Sequence, residues 1–275
     1  MRHALSAAVL IAAAAPPIAA APPAPASLEI RNITAAYGRL GPPRPDLRLL
    51  PYDQVFFRFE LAGVKTDAEG QADISTAVSI TDPKGKTTGG EPLAAKVPLV
   101  LGGGRLASFA TAFLTPEQKP GLYTIRVRVK DALSGKEAEF VRQLELLDER
   151  FGAASLNFSA DPEGNVPAPA GGAAGSAVFV RYLIVGFAKK GKVDVEVETR
   201  ILDEAGRDTL PKPMKSRLFS DKPAEFRDVR TLTVVNSLLL HRPGRFLLEI
   251  TLTDKVGDAQ AFVRLPLTVT SPDDR

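Results

Sequence analysis

Between Tyr123 and Lys130 apolar and polar side chains alternate one by one. Tyr123, Ile125, Val127 and Val129 fall on one side, and Thr124, Arg126, Arg128 and Lys130 on the other. A period of two marks a strand with one buried face. The grammar recurs where Phe246, Leu248, Ile250 and Leu252 alternate with Leu247, Glu249, Thr251 and Thr253. It recurs again where Val193, Val195, Val197 and Ile201 alternate with Asp194, Glu196, Glu198 and Arg200. The turns DPKG, DEAG, ALSG and KVGD separate such runs, with Asp, Pro and Gly where tight reversals need them. No segment carries a long apolar stripe at helical spacing; TPEQK, from Thr115, fits a single helical turn.

The chain also repeats itself. PGLYTIRVRVKD (120–131) returns as PGRFLLEITLTD (243–254), and VFFRFELAG (55–63) as VFVRYLIVG (178–186), both at an offset of 123. GQADISTAVSITDPKGK and GKVDVEVETRILDEAGR correspond at an offset of 121, and GKEAEFVR and GDAQAFVR at 122. Offsets this constant require two copies of one fold with small loop changes, joined near Asp148–Phe151. Several strands per copy, with turns about every ten residues, predict an antiparallel sandwich of the immunoglobulin type.

The opening PG-x-[YF], the alternating run and the closing Asp resemble the penultimate strand of bacterial immunoglobulin-like, fibronectin III-like and PKD-like extracellular modules. The resemblance covers Pro120–Leu146 and Pro243–Val269. It implies a core aromatic, here Tyr123 and Phe246, behind a Pro-Gly turn that sets the start of the strand. A hydroxyl-dependent tyrosine corner is available at Tyr123 alone, because the second copy carries Phe246. Such modules serve as spacers, adhesion units or accessory domains. The expected fold is all-β: two tandem immunoglobulin-like antiparallel β-sandwich domains, 27–149 and 150–271, with a tail 272–275, behind an N-terminal signal peptide 1–26.

The signal peptide is read from Arg2 and His3, the small and apolar run Ala4–Ala15 and the APA before Ser27. The run is too short for a membrane span and is closed by Pro16 and Pro17; a retained anchor is the alternative. Cysteine is absent, so no disulfide or lipid anchor is expected, and modules of this size bury enough core without disulfides. Residues 27–149 carry 16 Lys+Arg against 16 Asp+Glu, and residues 150–275 carry 18 against 16. That balance excludes the basic footprint of nucleic-acid or anionic-membrane binding, and the cations between Arg207 and Arg230 read as a solvated face.

Candidate chemistry is sparse. The mature chain has one histidine, His241, just before the second Pro-Gly turn, where an exposed loop residue rather than a triad base is expected. One histidine and no cysteine cannot assemble the usual zinc sets. Calcium, which wants six to eight oxygens, has candidates in Asp82 and Asp203, Asp131 and Asp254, and Asp67 with Glu69. The competing reading is that each Asp caps a tight turn. LGGGRLAS (101–108) lacks the Lys-Ser/Thr ending of a phosphate loop and reads as a hairpin tip. Without tryptophan and with four tyrosines, the chain is poor in flat platforms for sugars. NIT at Asn32 and NFS at Asn157 are glycosylation sequons.

Two features point to interaction. Phe56 with Arg58, and Phe179 with Arg181, should face outward together, as an interface between domains, as a partner surface, or as a face that loops cover. The Pro- and Gly-rich AYGRLGPPRPDLRLLPYDQ holds Arg39, Arg44 and Arg48 beside Tyr37 and Tyr52; it and ADPEGNVPAPAGGAAGSA read as surface loops. The functional expectation is an exported, non-catalytic binding, adhesion or spacer protein, periplasmic or extracellular, with an envelope or extracellular protein or polysaccharide as partner and no cofactor. The alternatives are a carboxylate hydrolase with an inter-domain cleft and a two-domain periplasmic chaperone. N-terminal sequencing of the exported protein should begin close to Ser27; intact Met1 in a soluble cytoplasmic pool would refute the export signal.

Overall fold

The computed structural model describes residues 27–271. The signal-peptide expectation for 1–26 and the tail 272–275 lie outside the described residues. Strands follow from the first module as β1 (Glu29–Ala36), β2 (Arg48–Leu49), β3 (Gln54–Ala62), β4 (Gln71–Thr81), β5 (Thr87–Gly89), β6 (Leu93–Pro98), β7 (Arg105–Phe113), β8 (Gly121–Asp131) and β9 (Glu137–Leu146). The second module holds β10 (Gly152–Ser159), β11 (Gly171–Ala173), β12 (Ala177–Val185), β13 (Val193–Leu202) and β14 (Met214–Ser220). A 3-10 turn (Pro223–Phe226) leads to β15 (Thr231–Leu239), β16 (Gly244–Asp254) and β17 (Ala259–Thr270).

Each module is a two-sheet sandwich. The first pairs β1-β3-β7 against β2-β9-β8-β4, with β5 and β6 both added to β4; the second pairs β10-β12-β15 against β11-β17-β16-β13-β14. The ladders are antiparallel except β2 on β9 and β11 on β17, which are parallel. The two Pro/Gly-rich segments are therefore crossings in which the first strand of each module leaves one sheet and joins the edge of the other. The second segment is more than a loop, because its Gly-Gly starts β11. There φ of Gly171 is +129°, and a Cβ would lie 1.8 Å from the Thr268 carbonyl oxygen, so the close parallel pairing admits no side chain.

The alternation read from sequence describes the cores. Val55, Phe57, Phe59 and Leu61 of β3 and Tyr123, Ile125, Val127 and Val129 of β8 are buried, with the intervening residues open or half-covered. Val193, Val195 and Val197 of β13 and Leu248, Ile250 and Leu252 of β16 are buried likewise. Two outer-row residues of the second module depart from that rule. Asp194 and Glu249 are buried beneath arginines, Asp194 under Arg217 at 2.7 Å and Glu249 between Arg200 and Arg264.

One echo in the sequence is out of step with the structure. Val127 pairs with Phe140 in the first module, and Ile250, its counterpart, pairs with Val263 in the second. The spatial offset here is 123, whereas the matching letters EFVR and AFVR lie 122 apart. A shift of one residue turns a strand's side chains to the opposite face. Phe140 accordingly fills the core against Phe57 and Phe59, while Phe262 is exposed on the outer face under Arg264.

The equivalence expected of Tyr123 and Phe246 also fails in part. Both follow a Pro-Gly turn whose glycine, Gly121 or Gly244, has φ +140°. Tyr123 is 2% exposed, and its hydroxyl donates to the Lys119 carbonyl at 2.7 Å, making the tyrosine corner. Phe246 is only half-buried at the margin of its core. The cause is loop length. Residues 114–120 join β7 to β8 and roof the ring of Tyr123, but only residues 240–243 join β15 to β16.

Tyr123→Ala should cost about 3–5 kcal/mol of first-module stability, and Tyr123→Phe about 1 kcal/mol for the lost hydrogen bond. Phe246→Ala should cost clearly less than Tyr123→Ala when each is followed by chemical denaturation. Equal losses would mean that the shorter loop still seals Phe246 inside.

Candidate functional site

The loop that carries Tyr37, Arg39, Arg44 and Tyr52 meets the second module. Its last turn, Leu50–Asp53, is closed by the Asp53 N–H donating to Leu50 and by Tyr52 in the left-handed region at φ +70°. That turn projects two acceptors toward β10. Asp53 Oδ1 accepts from the Ser155 N–H at 2.9 Å, and the Tyr52 carbonyl accepts from the Ser155 hydroxyl at 2.6 Å. Ser155 can donate outward because β10 is bulged there: register shifts between Ala154 and Asn157, and φ of Ser155 is +51°. Asn32 forms the same bulge in β1, with φ +54°.

Around these bonds Leu50, Ala154 and Val185 form a small core of their own, flanked by Tyr52, Leu147 and Leu183, and Tyr37 packs against the main core of the second module. Asp53 is 2% exposed. Besides Ser155 it accepts from the Gln54 N–H at 2.9 Å and pairs with Arg44 at 2.7 Å. The Arg44 guanidinium lies 5.0 Å over the Tyr37 ring and also donates to the Arg48 carbonyl. Burial works against the charge of Arg44, but the Asp53 carboxylate outweighs it and holds the guanidinium above its ordinary value. Burial also pushes the phenol of Tyr37 up, with Arg44 opposing.

The residues singled out as an interaction surface lie on the outer faces of β3 and β12, as alternation requires. The inter-module contacts run instead through Leu183 and Val185, further along β12. Phe56 is half-buried against Phe109 at 6.2 Å between ring centres, and Arg39 of the long loop sits 4.4 Å over Phe109. Arg58 pairs in the ladders with Thr34 and Phe109. Phe179 pairs with Ser159 and Ser237, and Arg181 donates to the carbonyls of Pro162 and Glu163, so the second Pro/Gly segment lies on it. Loops thus cover part of both faces.

The carboxylates weighed as calcium ligands hold backbone. Asp67 caps Glu69 and Gln71, Asp82 caps Lys84 and Lys86, and Asp203 caps Ala205 and Arg207. Buried Asp131 binds the N–H groups of Lys65 and Leu133, and buried Asp254 those of Ala188, Val256 and Gly257. Among the described residues no three His, Cys, Asp or Glu side chains come together as a metal cluster.

Both modules open at the same place, between the sheets where β4 and β7, or β13 and β15, diverge. The first crevice, about 820 Å³, is lined by Ile80, Phe113 and Tyr123 but also by Asp82, Lys84 and Glu117. The second, about 220 Å³, is walled by Ile201, Met214, Leu238, Leu240, Phe246 and Leu267. His241 and Arg242 stand at its mouth. Sequence reasoning placed His241 in an exposed loop, where it is, and missed the hollow behind it. Asp53 and Ser155 were missed too, since no local pattern distinguishes them from turn and strand residues.

No protein-family model matches the chain, and no curated protein does. Among solved structures, the C-terminal domain of the Streptococcus agalactiae AgI/II polypeptide BspA is similar at 10% identity over 88% of this chain and 99% of that one, with a TM-score of 0.29. The C-terminal domain of the Streptococcus pyogenes antigen I/II-family protein AspA is similar at 11% identity over 88% and 99%, with a TM-score of 0.29. The Pseudomonas fluorescens alkylpurine DNA glycosylase AlkC, bound to DNA containing an abasic site analog, matches at 12% identity with a TM-score of 0.30. That match covers 44% of this chain and 30% of the glycosylase. Likeness at this level supports no statement about what the chain binds or does.

Asp53→Ala would strand the buried Arg44 charge and free the Ser155 N–H, so stability should fall by about 3–5 kcal/mol. Exposed Asp46→Ala, which loses a bond from the Arg48 N–H in the same loop, should cost only about 1 kcal/mol. Paired urea titrations of the two variants measure the contrast. Similar midpoints would remove Asp53 from its place at the junction.

Proposed function

We propose that the chain is an exported, non-catalytic binding or adhesion protein of the cell envelope or extracellular space, in which two immunoglobulin-like modules are held in one fixed relation. The observation that carries this reading is the buried Asp53, which ties Arg44 of its own loop to Ser155 of the next module. A spacer with a free hinge needs no such contact, and a polar, solvated linker would serve it better. A hydrolase would need a pair of carboxylates converging on a cleft. At this junction the carboxylate is Asp53, with both oxygens engaged, and the surroundings are Leu50, Ala154 and Val185.

Against strand capture of the chaperone kind, four of the sheet edges are guarded, while β7 and the uncharged β15 are left as edges. Lys96 stands on β6, Lys215 and Arg217 on β14, and β1 and β10 are bulged. The partner in this reading is a protein or polysaccharide that meets both modules at once. Small-angle scattering of the residue 27–275 protein should fit one inter-module arrangement, and Asp53→Ala should need an ensemble. Used as bait on the exported fraction, the wild type should retain a macromolecule that Asp53→Ala retains poorly. A wild-type profile that itself requires freely varying inter-module angles would overturn the fixed-pair reading.

A further inference from the structure

The two modules share one crevice position but have made it chemically different. In the first module the seven-residue span 114–120 folds over Tyr123, and the wall brings in Lys84, Lys86, Glu117 and Lys119. In the second, the corresponding span is 240–243, the tyrosine is Phe246, and the polar lining is reduced to Thr209, Ser237, His241 and Arg242. What remains is a hollow of about 220 Å³ with aliphatic and aromatic sides. An open crevice with mainly apolar walls favours apolar guests, because seating them removes apolar surface from water.

The mouth adds a sign. Of the lining residues, Arg242 is charged and His241 is titratable, and none is acidic. Both are exposed, and the Arg242 guanidinium lies 5.2 Å from the Phe246 ring centre, over the opening. Among the described residues Arg242 makes no hydrogen bond or ion pair, so its donors are not committed elsewhere. Asp208, next to the lining residue Thr209, is held by Arg200 at 2.8 Å. Leu239, 68% exposed, and half-covered Met214 and Leu210 extend the apolar surface to the rim. A cationic lip on a mainly apolar hollow selects a molecule with an apolar body and one anionic end.

We propose that the crevice of the second module, closed at its base by Leu238, Leu240 and Leu267 and rimmed by Arg242, is a binding site for a small amphiphilic carboxylate of the medium-chain fatty-acid class. The alkyl chain lies against Ile201, Met214 and Phe246, and the carboxylate accepts from the Arg242 guanidinium. The proposal deepens the binding reading by giving one module a ligand class. It does not depend on the inter-module geometry, so failure of either can be told from failure of the other.

The chain supplies its own reporter, since its two methionines are Met1 and Met214, and Met214 lines the hollow. With methyl-13C-methionine labelling of the residue 27–275 protein, octanoate should shift the Met214 methyl resonance saturably. Octylamine, of the same length and opposite charge, should bind about tenfold more weakly or worse. Arg242→Gln, at an exposed position, should keep the fold, weaken octanoate about tenfold and leave 1-octanol unchanged. If none of the three probes gives a saturable shift, there is no site. If octylamine or octanol matches octanoate in the wild type, the hollow does not select an anion. If Arg242→Gln keeps the octanoate preference, Arg242 is not its partner. Each of these results overturns the proposal.

Discussion

A carboxylate removed from water must have its lone pairs filled, and Asp53 has them filled from both sides of a boundary. One oxygen takes the N–H groups of the adjacent Gln54 and of Ser155, 102 residues further along the chain from Asp53, and the other takes Arg44. Removing any of these donors leaves a buried charge short of partners, which costs more than an ordinary surface bond returns. The long loop is thereby committed to a conformation in which Tyr37, Leu50 and Tyr52 reach the second module. Leu147 of the short connection at residues 147–151 packs into the same junction.

Duplication explains how such a junction can arise from ordinary parts. The bulge that turns the Ser155 N–H outward exists in both modules, at Asn32 and at Ser155. In the second module it receives a loop. The crevices follow the same course. A common gap between sheets is wrapped by a tyrosine corner and a longer loop in one copy and left apolar in the other. The core aromatics diverged as well. Phe59 meets Phe140 edge-on at 5.4 Å, but its counterpart Tyr182 brings a hydroxyl into the core of the second module. There Asn236 makes long contacts, 3.5 Å to Tyr182 and 3.3 Å to Thr199 on the facing sheet. Burial pushes the Tyr182 phenol up, with the Asn236 contact opposing.

Much of the sandwich was legible in the sequence because strands with one wet face write their phase into every second residue. Tyr123, Ile125, Val127 and Val129 are buried as that phase demands, and the Asp residues in DPKG and DEAG cap turns as their chemistry suggests. Legibility failed where letters and register parted. EFVR and AFVR look equivalent, yet one residue of slippage puts Phe140 inside and Phe262 outside. It failed again at Gly171, in a segment whose composition says loop although the smallness of that glycine is what lets β11 approach β17. Asp53 and Ser155 were invisible for a different reason. Their partners are far apart along the chain, and a single sequence carries no mark of contacts made at long range.

The outer surface of the second module carries a set of ion pairs. On its larger sheet, cross-strand pairs join Glu196 to Lys255, Glu198 to Lys215, Arg200 to Asp208 and Glu249 to both Arg200 and Arg264. Exposed pairs of this kind contribute little singly. Asp194 and Glu249 differ, because they are buried under the arginines that hold them, and Arg217 bonds Asp194 through two nitrogens at 2.7 Å. The hydrogen bonds from Arg217 hold the Asp194 carboxyl below its usual range. That part of the module's stability is fully present above the ordinary carboxylate pKa and is lost as pH falls through the depressed value. Charge thus closes the outer surface of β13 and β16 where aromatic packing closes the inner one in the first module.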